Sequence, residues 1–142
     1  MRKIEAQTIQ AVRELLWNPT FSGRYWKAGN MEVEQSHDGV HGTPSYSRKI
    51  NIKLHGNLIA RVWPTENSLW LSDCGYQTRT TKSRLNVILG CFTSGFSITQ
   101  RNWEWMFKGI SWDDCDEWYG SISLTFRLDS DNWMLQQAER LA

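Results

Sequence analysis

The sequence contains few cysteines, and no spacing pairs them. Cys74, Cys91 and Cys115 are an odd set within 142 residues, and no CxxC pattern occurs. This argues against a disulfide framework and favours a reducing compartment. We therefore expect a fold that is stabilised by its core alone.

Long apolar stretches are also missing. No uninterrupted apolar run approaches the roughly 20 residues that a bilayer-crossing helix needs. The first sixteen residues, MRKIEAQTIQAVRELL, carry charges throughout and lack the apolar core of a signal peptide. We therefore expect a cytoplasmic protein with no membrane partner.

The common cofactor and hydrolase motifs do not occur. The sequence has no GxGxxG, no phosphate-binding GxxxxGK[ST] loop, no GxSxG and no HExxH. His37 and His41 are separated by a glycine-containing segment that disfavours a helix, so their spacing indicates no metal site. We expect no metal and no cofactor, and these absences weaken an enzymatic interpretation without excluding it.

The overall composition is that of a globular protein. Hydrophobic residues make up 40% of the chain and charged residues 22%, which favours folding over disorder. A chain of this length fits one domain, so we expect a single domain over 1–142. Nine tryptophans are many for this length. We expect most of them in the core and some at a contact surface.

The net charge of +1 conceals an uneven distribution. Residues 1–108 carry fourteen Lys and Arg against eight Asp and Glu, whereas residues 109–142 carry two against seven. Such a difference can mark a partner surface, or the two regions can neutralise each other within the fold.

Periodicity predicts helices and strands in a clear order. Apolar residues recur at helical spacing over 2–17, and Asn18-Pro19 ends that helix. Strict alternation predicts strands at 50–54 and 121–128. Further strands are predicted at 58–63 and 68–72, with Gly56-Asn57 as a hairpin turn before the first of them. Shorter strands are predicted at 31–35, 97–101 and 103–108, a loop at 37–45 and a helix at 131–142.

A central helix is predicted near residues 80–90. Thr80 or Thr81 supplies the cap oxygen at its start, and Gly90 is a suitable stop. The predicted fold class is α+β. It comprises one antiparallel sheet of about six to seven strands, the N-terminal helix, the central helix packed on one face and a short C-terminal helix.

Four sequence blocks in a fixed order carry a family resemblance. They are WKAGNMEV at 26–33, LHGNLIA at 54–60, DCGYQT at 73–78 and TTKSRLN at 80–86. Together they resemble small uncharacterised proteins of tailed bacteriophages, including phages of cyanobacteria. The resemblance covers roughly residues 1–108 and implies an accessory protein in an infected bacterial cytoplasm. It brings no activity or site, and residues 109–142 are interpreted as an acidic extension of the same domain.

The start of the central helix is the first candidate site. Cations and hydroxyl groups there suit an anion or a nucleic-acid phosphate. The alternative is a solvated first helix turn capped by threonine, with Arg84 paired to a nearby carboxylate such as Asp73. Cations oppose the helix dipole at this end by about 0.3–1 kcal/mol each, so helix propensity does not explain them. The candidate anion- or nucleic-acid-binding residues are Arg79, Thr80, Thr81, Lys82, Arg84, Arg101 and Lys108.

Aromatic and cationic residues interleave in the hairpin predicted at 97–108. Arg101, Trp103, Trp105 and Lys108 have the pattern of surfaces that stack single-stranded bases. The alternative is a core-facing stripe of Trp103, Trp105 and Phe107, with polar residues pointing outward. Alternation alone is enough to explain that stripe.

An acidic segment flanked by aromatic residues, 112–119, is the second candidate site. It lacks the glycine and the terminal glutamate of an EF-hand, so it does not indicate a calcium site. It is either a solvated loop or a contact surface for a partner protein. The candidate contact residues are Trp112, Asp113, Asp114, Asp116, Glu117, Trp118 and Tyr119.

These observations leave three functional hypotheses. The first is a phage accessory protein that binds a host macromolecule stoichiometrically, a protein rather than a nucleic acid, for host takeover or defence inhibition. The second is a nucleic-acid-binding module that uses the helix start at 79–84. The third is an enzyme or small-ligand binder with a pocket near Cys74, His55 and Arg84, although no spacing selects a Cys/His pair and no catalytic residue is assigned.

Overall fold

The computed structural model of the chain describes residues 2–17, 25–40, 42–64, 68–93, 96–107, 110–114 and 121–125. The predicted helix at 131–142 lies outside these residues. The described helices are α1 (Lys3–Trp17), α2 (Arg79–Phe92) and a 3-10 helix (Trp112–Asp114), and none of them is long and apolar enough to cross a membrane. The described strands are β1 (Tyr25–Ala28), β2 (Met31–Asp38), β3 (Ser47–Leu54), β4 (Asn57–Trp63), β5 (Ser68–Ser72), β6 (Ile98–Arg101), β7 (Glu104–Phe107), β8 (Ile110–Ser111) and β9 (Ser121–Thr125).

Strands β1 to β5 form an antiparallel meander in which each strand pairs with the next one in sequence. Strand β9 pairs with β5, so the main sheet has six strands in the order β1-β2-β3-β4-β5-β9. A second antiparallel sheet contains β6, β7 and β8. The predicted α+β class is confirmed, and the hairpin predicted at 97–108 belongs to this second sheet.

The core lies on one face of the main sheet. The register places Val33 opposite Ile52, Ile52 opposite Ala60, and Ala60 opposite Leu71. Because side chains alternate along a strand, these residues of four strands point to the same side. Both helices pack their apolar residues against that side, and each fully buried side chain contributes roughly 1.5–3 kcal/mol.

A buried ion pair joins the two helices. Glu5 of α1 is 3% exposed and accepts hydrogen bonds from Ser83 Oγ at 2.6 Å and Arg84 Nη1 at 2.9 Å. Burial alone would raise the pKa of Glu5, but the hydrogen bonds from Ser83, Arg84 and the Arg2 backbone hold that pKa below its ordinary value. Arg84 pairs with a carboxylate, as one interpretation of the sequence expected, but the partner is Glu5, 79 residues away in the sequence, and not Asp73.

The end of α1 is stabilised by a residue from the sheet. The last turn of α1 contains no basic residue. The buried side chain of Arg48, on β3, donates from Nη2 to the carbonyl oxygen of Leu15. A cation in this position satisfies an otherwise unpaired helix carbonyl and complements the helix dipole.

Two boundaries in the meander differ from the predicted ones. The β3–β4 hairpin turns at His55-Gly56, where both φ angles are positive (51° and 79°), which identifies a type I′ turn. The predicted turn residue Asn57 is instead the first residue of β4. Strand β2 continues to Asp38, so the predicted loop 37–45 begins later, and β1 is too short for its alternation to be recognised in the sequence.

Helix α2 starts earlier and ends later than predicted. Its N-cap is Thr78, whose Oγ1 accepts from Thr81 N at 3.1 Å. The predicted caps Thr80 and Thr81 both lie inside the helix. Gly90 also lies inside the helix, which continues to Phe92 because glycine is tolerated there without a turn.

Candidate interaction surface and cleft at the start of helix α2

The elbow, residues 73–78, connects β5 to α2. Its first four residues form a type I′ turn, in which Cys74 (φ 54°) and Gly75 (φ 82°) are left-handed and Tyr76 N donates to Asp73 O at 2.8 Å. Glycine adopts this conformation without strain because it has no Cβ. The turn reverses the chain within four residues and leaves Thr78 in position to cap α2.

Asp73 fixes the elbow from the inside. Its side chain accepts hydrogen bonds from Gly75 N at 2.7 Å, Gln77 Nε2 at 3.0 Å and Trp112 Nε1 at 3.2 Å. Both Asp73 (5% exposed) and Trp112 (0% exposed) are buried, and Trp112 packs edge-on against Trp105 of β7. Asp73 therefore ties the elbow to the residues beside the second sheet.

The predicted basic site is only partly accessible. Arg84 is 4% exposed in its ion pair with α1, and Thr81 is 3% exposed with its hydroxyl bonded to the cap residue at 2.9 Å. Arg79 is exposed, and Thr80 and Lys82 are half-buried. Among the described residues, no acidic side chain forms an ion pair with Arg79 or Lys82. At the helix start, the accessible candidate residues are thus Arg79, Thr80 and Lys82, and the candidate residue Arg101 of β6 is also exposed.

The β6–β7 hairpin lies along α2. The side chain of Asn86 donates to Ile98 O at 2.9 Å and accepts from Ile98 N at 2.6 Å, while Lys82 Nζ donates to Gln100 Oε1 at 3.4 Å. Residue numbers rise along β6 as they fall along α2, so the two elements run antiparallel. The end of β6 therefore brings Arg101 to the end of the molecule that carries the start of α2.

The hairpin tip, residues 101–104, is another type I′ turn. Its central residues are Asn102 (φ 52°) and Trp103 (φ 67°), and Trp103 is 92% exposed. The predicted core-facing stripe is wrong at Trp103, because the chain turns there. Trp105 and Phe107 are buried as predicted. Alternation of apolar and polar residues in the sequence does not distinguish a strand residue from a central residue of a tight turn.

The acidic segment is described only at its beginning. Trp112 is fully buried and so is not accessible as a contact residue. Asp113 is half-buried and accepts from Gln77 Nε2 at 3.3 Å, while Asp114 is exposed. The other candidate contact residues, Asp116, Glu117, Trp118 and Tyr119, lie outside the described residues, as does Lys108.

A cleft of about 400 Å³ opens between the β3–β4 turn, the elbow and the start of α2. The hairpin supplies His55 and Asn57 to its lining, the elbow supplies Cys74 and Tyr76, and α2 supplies Thr80. These segments meet because the β3–β4 turn and the C-terminal end of β5 lie at the same end of the antiparallel strands. The cleft is the place where the sequence-predicted pocket near Cys74 and His55 lies.

The Cys74 thiol is partly buried and hydrogen bonded in this cleft. Its Sγ donates to a backbone carbonyl at 2.8 Å. Burial raises the pKa of Cys74, the charge of Asp73 raises it further, and a hydrogen bond with Ser72 opposes both. Because the thiolate is the reactive form, this argues against a nucleophilic pair with His55. Arg84, the third residue of that predicted pocket, does not line the cleft.

Both ring nitrogens of His37 lie within hydrogen-bonding distance of neighbouring side chains. Its Nε2 lies 3.0 Å from Gln35 Nε2 and its Nδ1 lies 2.5 Å from Tyr46 OH. His41 lies outside the described residues. Across the part of the chain that the structure describes, no three His, Cys, Asp or Glu side chains are grouped to hold a metal ion.

Sequence reasoning missed two exposed residues of the cleft, Asn57 and Tyr76. A partial signal was present, since glycine follows His55 and Cys74 directly and glycine suits the second central position of a type I′ turn. In an antiparallel meander, two turns that are separated by two strands lie at the same end of the strands. Their neighbours then line a common space.

A family model described as Kyanoviridae Gp96 protein matches residues 1–124. The chain belongs to this family. It is a family of cyanophage proteins, so the resemblance to tailed-phage proteins is confirmed. The match extends beyond residue 108, where the sequence resemblance ended, and includes β8 and the 3-10 helix of this chain. No curated protein and no solved structure matches the chain.

Proposed function

We propose that this family member is a phage accessory protein that binds a host macromolecule stoichiometrically in the bacterial cytoplasm, and that this macromolecule is a protein. Family membership supports the phage context. The observation that carries the binding proposal is the exposed Trp103 at the hairpin tip. Binding of this kind would redirect host machinery or block a host defence.

Trp103 contributes little to the stability of the fold itself. Its side chain is 92% exposed, so the roughly 1.5–3 kcal/mol available from burying a large apolar side chain is absent. Its positive φ costs a non-glycine residue about 1 kcal/mol. A tryptophan with both disadvantages is explained by a partner, because tryptophan is among the commonest energetic anchors of interfaces.

The surroundings of Trp103 suit a protein surface. Arg101 and Glu104 stand opposite each other in the β6–β7 register, so the charges at the base of the tip balance. Protein interfaces combine aromatic anchors and arginine with a polar rim. An exposed tryptophan between one cation and one anion has this composition.

Affinity purification from host cells tests the proposal with the full chain and two variants. Trp103→Gly removes the anchor and suits the turn, so the variant should fold at least as well as the wild type. Tyr25→Ser removes another exposed aromatic ring, on β1, and is the matched control. We expect one host protein, retained at one-to-one stoichiometry by the wild type and Tyr25→Ser, to be lost with Trp103→Gly. A partner set that Trp103→Gly leaves unchanged contradicts the proposal.

A second candidate function is the binding of single-stranded nucleic acid at the same end of the molecule. It is favoured by the alignment of the hairpin with α2, which gathers Arg79, Lys82 and Arg101 near the exposed Trp103. Single-strand-binding surfaces pair cations that contact the backbone with aromatic rings that stack on bases.

Fluorescence anisotropy with labelled single-stranded DNA and RNA tests this second function. Affinity should fall steeply between about 50 and 200 mM salt, and Arg79→Ala with Arg101→Ala should weaken binding and flatten the salt dependence. Lys3→Ala with Lys27→Ala removes two exposed cations elsewhere and serves as the charge-matched control. No binding at low salt would exclude this function.

A further inference from the structure

The cleft beside the elbow has an apolar floor and flat walls. Leu54 (5% exposed) and Ile59 (1% exposed) form part of its lining from the hairpin. The ring of Tyr76, 58% exposed, lines it from the elbow, and the His55 ring lines it from the β3–β4 turn. A pocket of this volume with aromatic walls accommodates a planar ligand of small-molecule size.

Unpaired hydrogen-bonding groups converge on the same cleft. Among the described residues, no group hydrogen bonds to the side chains of His55, Asn57, Tyr76 or Thr80, and all four line the cleft. The amide of Asn57 offers a donor and an acceptor side by side, as does each hydroxyl. These groups suit a ligand whose edge carries both donors and acceptors.

The charges are arranged outside the cleft rather than within it. Asp73 is the acidic residue of the lining, and its oxygens are already engaged by Gly75, Gln77 and Trp112. The exposed Arg79 lies between two lining residues, Thr78 and Thr80, in the sequence, whereas Lys82 Nζ donates to Gln100 Oε1 of β6. The cleft therefore suits an uncharged planar group, and its rim suits an attached anion.

From this arrangement we propose that the cleft binds a nucleotide, with the base between Tyr76 and His55 and the phosphate towards Arg79. Asn57 and Thr80 supply hydrogen bonds to the base edge and the sugar. The nucleotide is either free or the phosphorylated end of a strand, since both present the same chemistry. This site does not depend on the macromolecule proposed for Trp103.

NMR titration of the ¹⁵N-labelled full chain tests the proposal directly. The probes are the four ribonucleoside 5′-monophosphates, the matching nucleosides, ribose 5-phosphate, and tetranucleotides with and without a 5′-phosphate. We expect the monophosphates to shift the amide signals of Gly56, Gly75 and Thr80 and the side-chain amide of Asn57. Nucleosides should bind more weakly at the same positions. Tighter binding of the 5′-phosphorylated tetranucleotide than of the monophosphates identifies a strand end, and the reverse identifies a free nucleotide.

Variants of exposed residues separate the contributions. Tyr76→Ser should weaken monophosphate binding about 5-fold or more, since stacking of one base on an aromatic ring contributes on this scale. Tyr25→Ser removes a tyrosine of nearly equal exposure (55%) that lies outside the cleft, so it should leave the affinity unchanged. Arg79→Ala should weaken binding of the monophosphates more than that of the nucleosides. Asn57→Ala should change the preference among the four bases.

Three results would overturn the proposal. One is the absence of any shift with all four monophosphates at millimolar concentration. Another is ribose 5-phosphate or a neutral sugar binding as tightly as the monophosphates, which would mean that the base is not recognised. The third is Tyr25→Ser weakening the binding as much as Tyr76→Ser does.

Discussion

The first four residues of the elbow (73–76) and the hairpin tip (101–104) both form type I′ turns, each with two left-handed central residues. They differ in what surrounds them. The elbow is bonded from inside by the buried carboxylate of Asp73, which also accepts from the indole of Trp112. At the tip, no described group hydrogen bonds to the side chains of Asn102 or Trp103, and Trp103 is almost fully exposed.

This difference shows that backbone geometry alone does not indicate a functional turn. At the elbow, left-handed Cys74 is explained by internal bonds and by the need to start α2 in a fixed position. At the tip, the described residues give left-handed Trp103 no internal explanation, and the proposed partner would supply one. The two turns therefore predict opposite responses to substitution.

The largest loss of stability is expected at the buried ion pair between Glu5 of α1 and Arg84 of α2. Glu5→Ala leaves the buried Arg84 without its carboxylate, and breaking such a pair costs roughly 3–5 kcal/mol. Urea denaturation of the variant and the wild type measures the loss in free energy of unfolding. A loss below about 1 kcal/mol would show that the start of α2 is not held from inside.

The same carboxylate predicts a pH dependence. Hydrogen bonds hold the pKa of folded Glu5 below the ordinary value of 4.5 despite its burial, so the unfolded chain takes up this proton first as pH falls. The stabilisation is fully present above about pH 4.5 and is lost as pH falls through the folded pKa. The difference in unfolding free energy between wild type and Glu5→Gln should therefore shrink from pH 7 to pH 3. A difference that grows on acidification contradicts this.

A smaller loss is expected at the elbow. Asp73→Ala leaves the buried indole N–H of Trp112 and the backbone N–H of Gly75 without their acceptor, at a cost of about 2–3 kcal/mol. Asp113→Ala removes one long hydrogen bond from Gln77 and is the matched control, with an expected change within about 0.5 kcal/mol. If the two variants lost equal free energy of unfolding, Asp73 would not be the residue that stabilises the elbow.

The hairpin tip should respond in the opposite direction. Trp103→Gly gives the Asn-Gly pair that a type I′ turn favours and relieves the left-handed conformation, so we expect a gain of about 1 kcal/mol. Thermal unfolding followed by circular dichroism measures it. A destabilised variant would show that Trp103 packs against the fold and would remove the argument for a partner.

The smallest effect concerns reactivity at the elbow rather than stability. Because the pKa of Cys74 is raised, iodoacetamide at about pH 7.5 should modify it more slowly than it modifies glutathione. Cys91, buried and with a pKa raised by that burial, should react more slowly still. Peptide mass spectrometry over time resolves the individual cysteines, and modification of Cys74 faster than glutathione would reopen the nucleophile hypothesis.

Most of the helices and strands could be predicted from the local periodicity of apolar residues. Strict alternation at 50–54 marks a strand that is half-buried, and the helical spacing at 2–17 marks α1 because one side of that helix is buried. The cap of α2 was misplaced because Thr78, Thr80 and Thr81 are chemically equivalent in sequence. The partner of Arg84 was misplaced because Glu5 is brought to it by tertiary packing.

The candidate site was predictable only in part. Arg79 and Lys82 are conspicuous in sequence because cations oppose the helix dipole at that position. The exposure of Trp103 was hidden, since a strand and a turn share the same alternation. The cleft was hidden as well, because its residues come from three segments that become neighbours only when the meander forms.

The pairing of β9 with β5 has a consequence for synthesis. Ser72 meets Ser121, so the sixth strand is contributed by residues about 50 positions later in the chain. During translation, β1 to β5 can assemble while β9 is still inside the ribosome, and β5 then presents an unpaired edge to the cell. The nascent chain is therefore open to strand-adding partners at an edge that the finished protein covers.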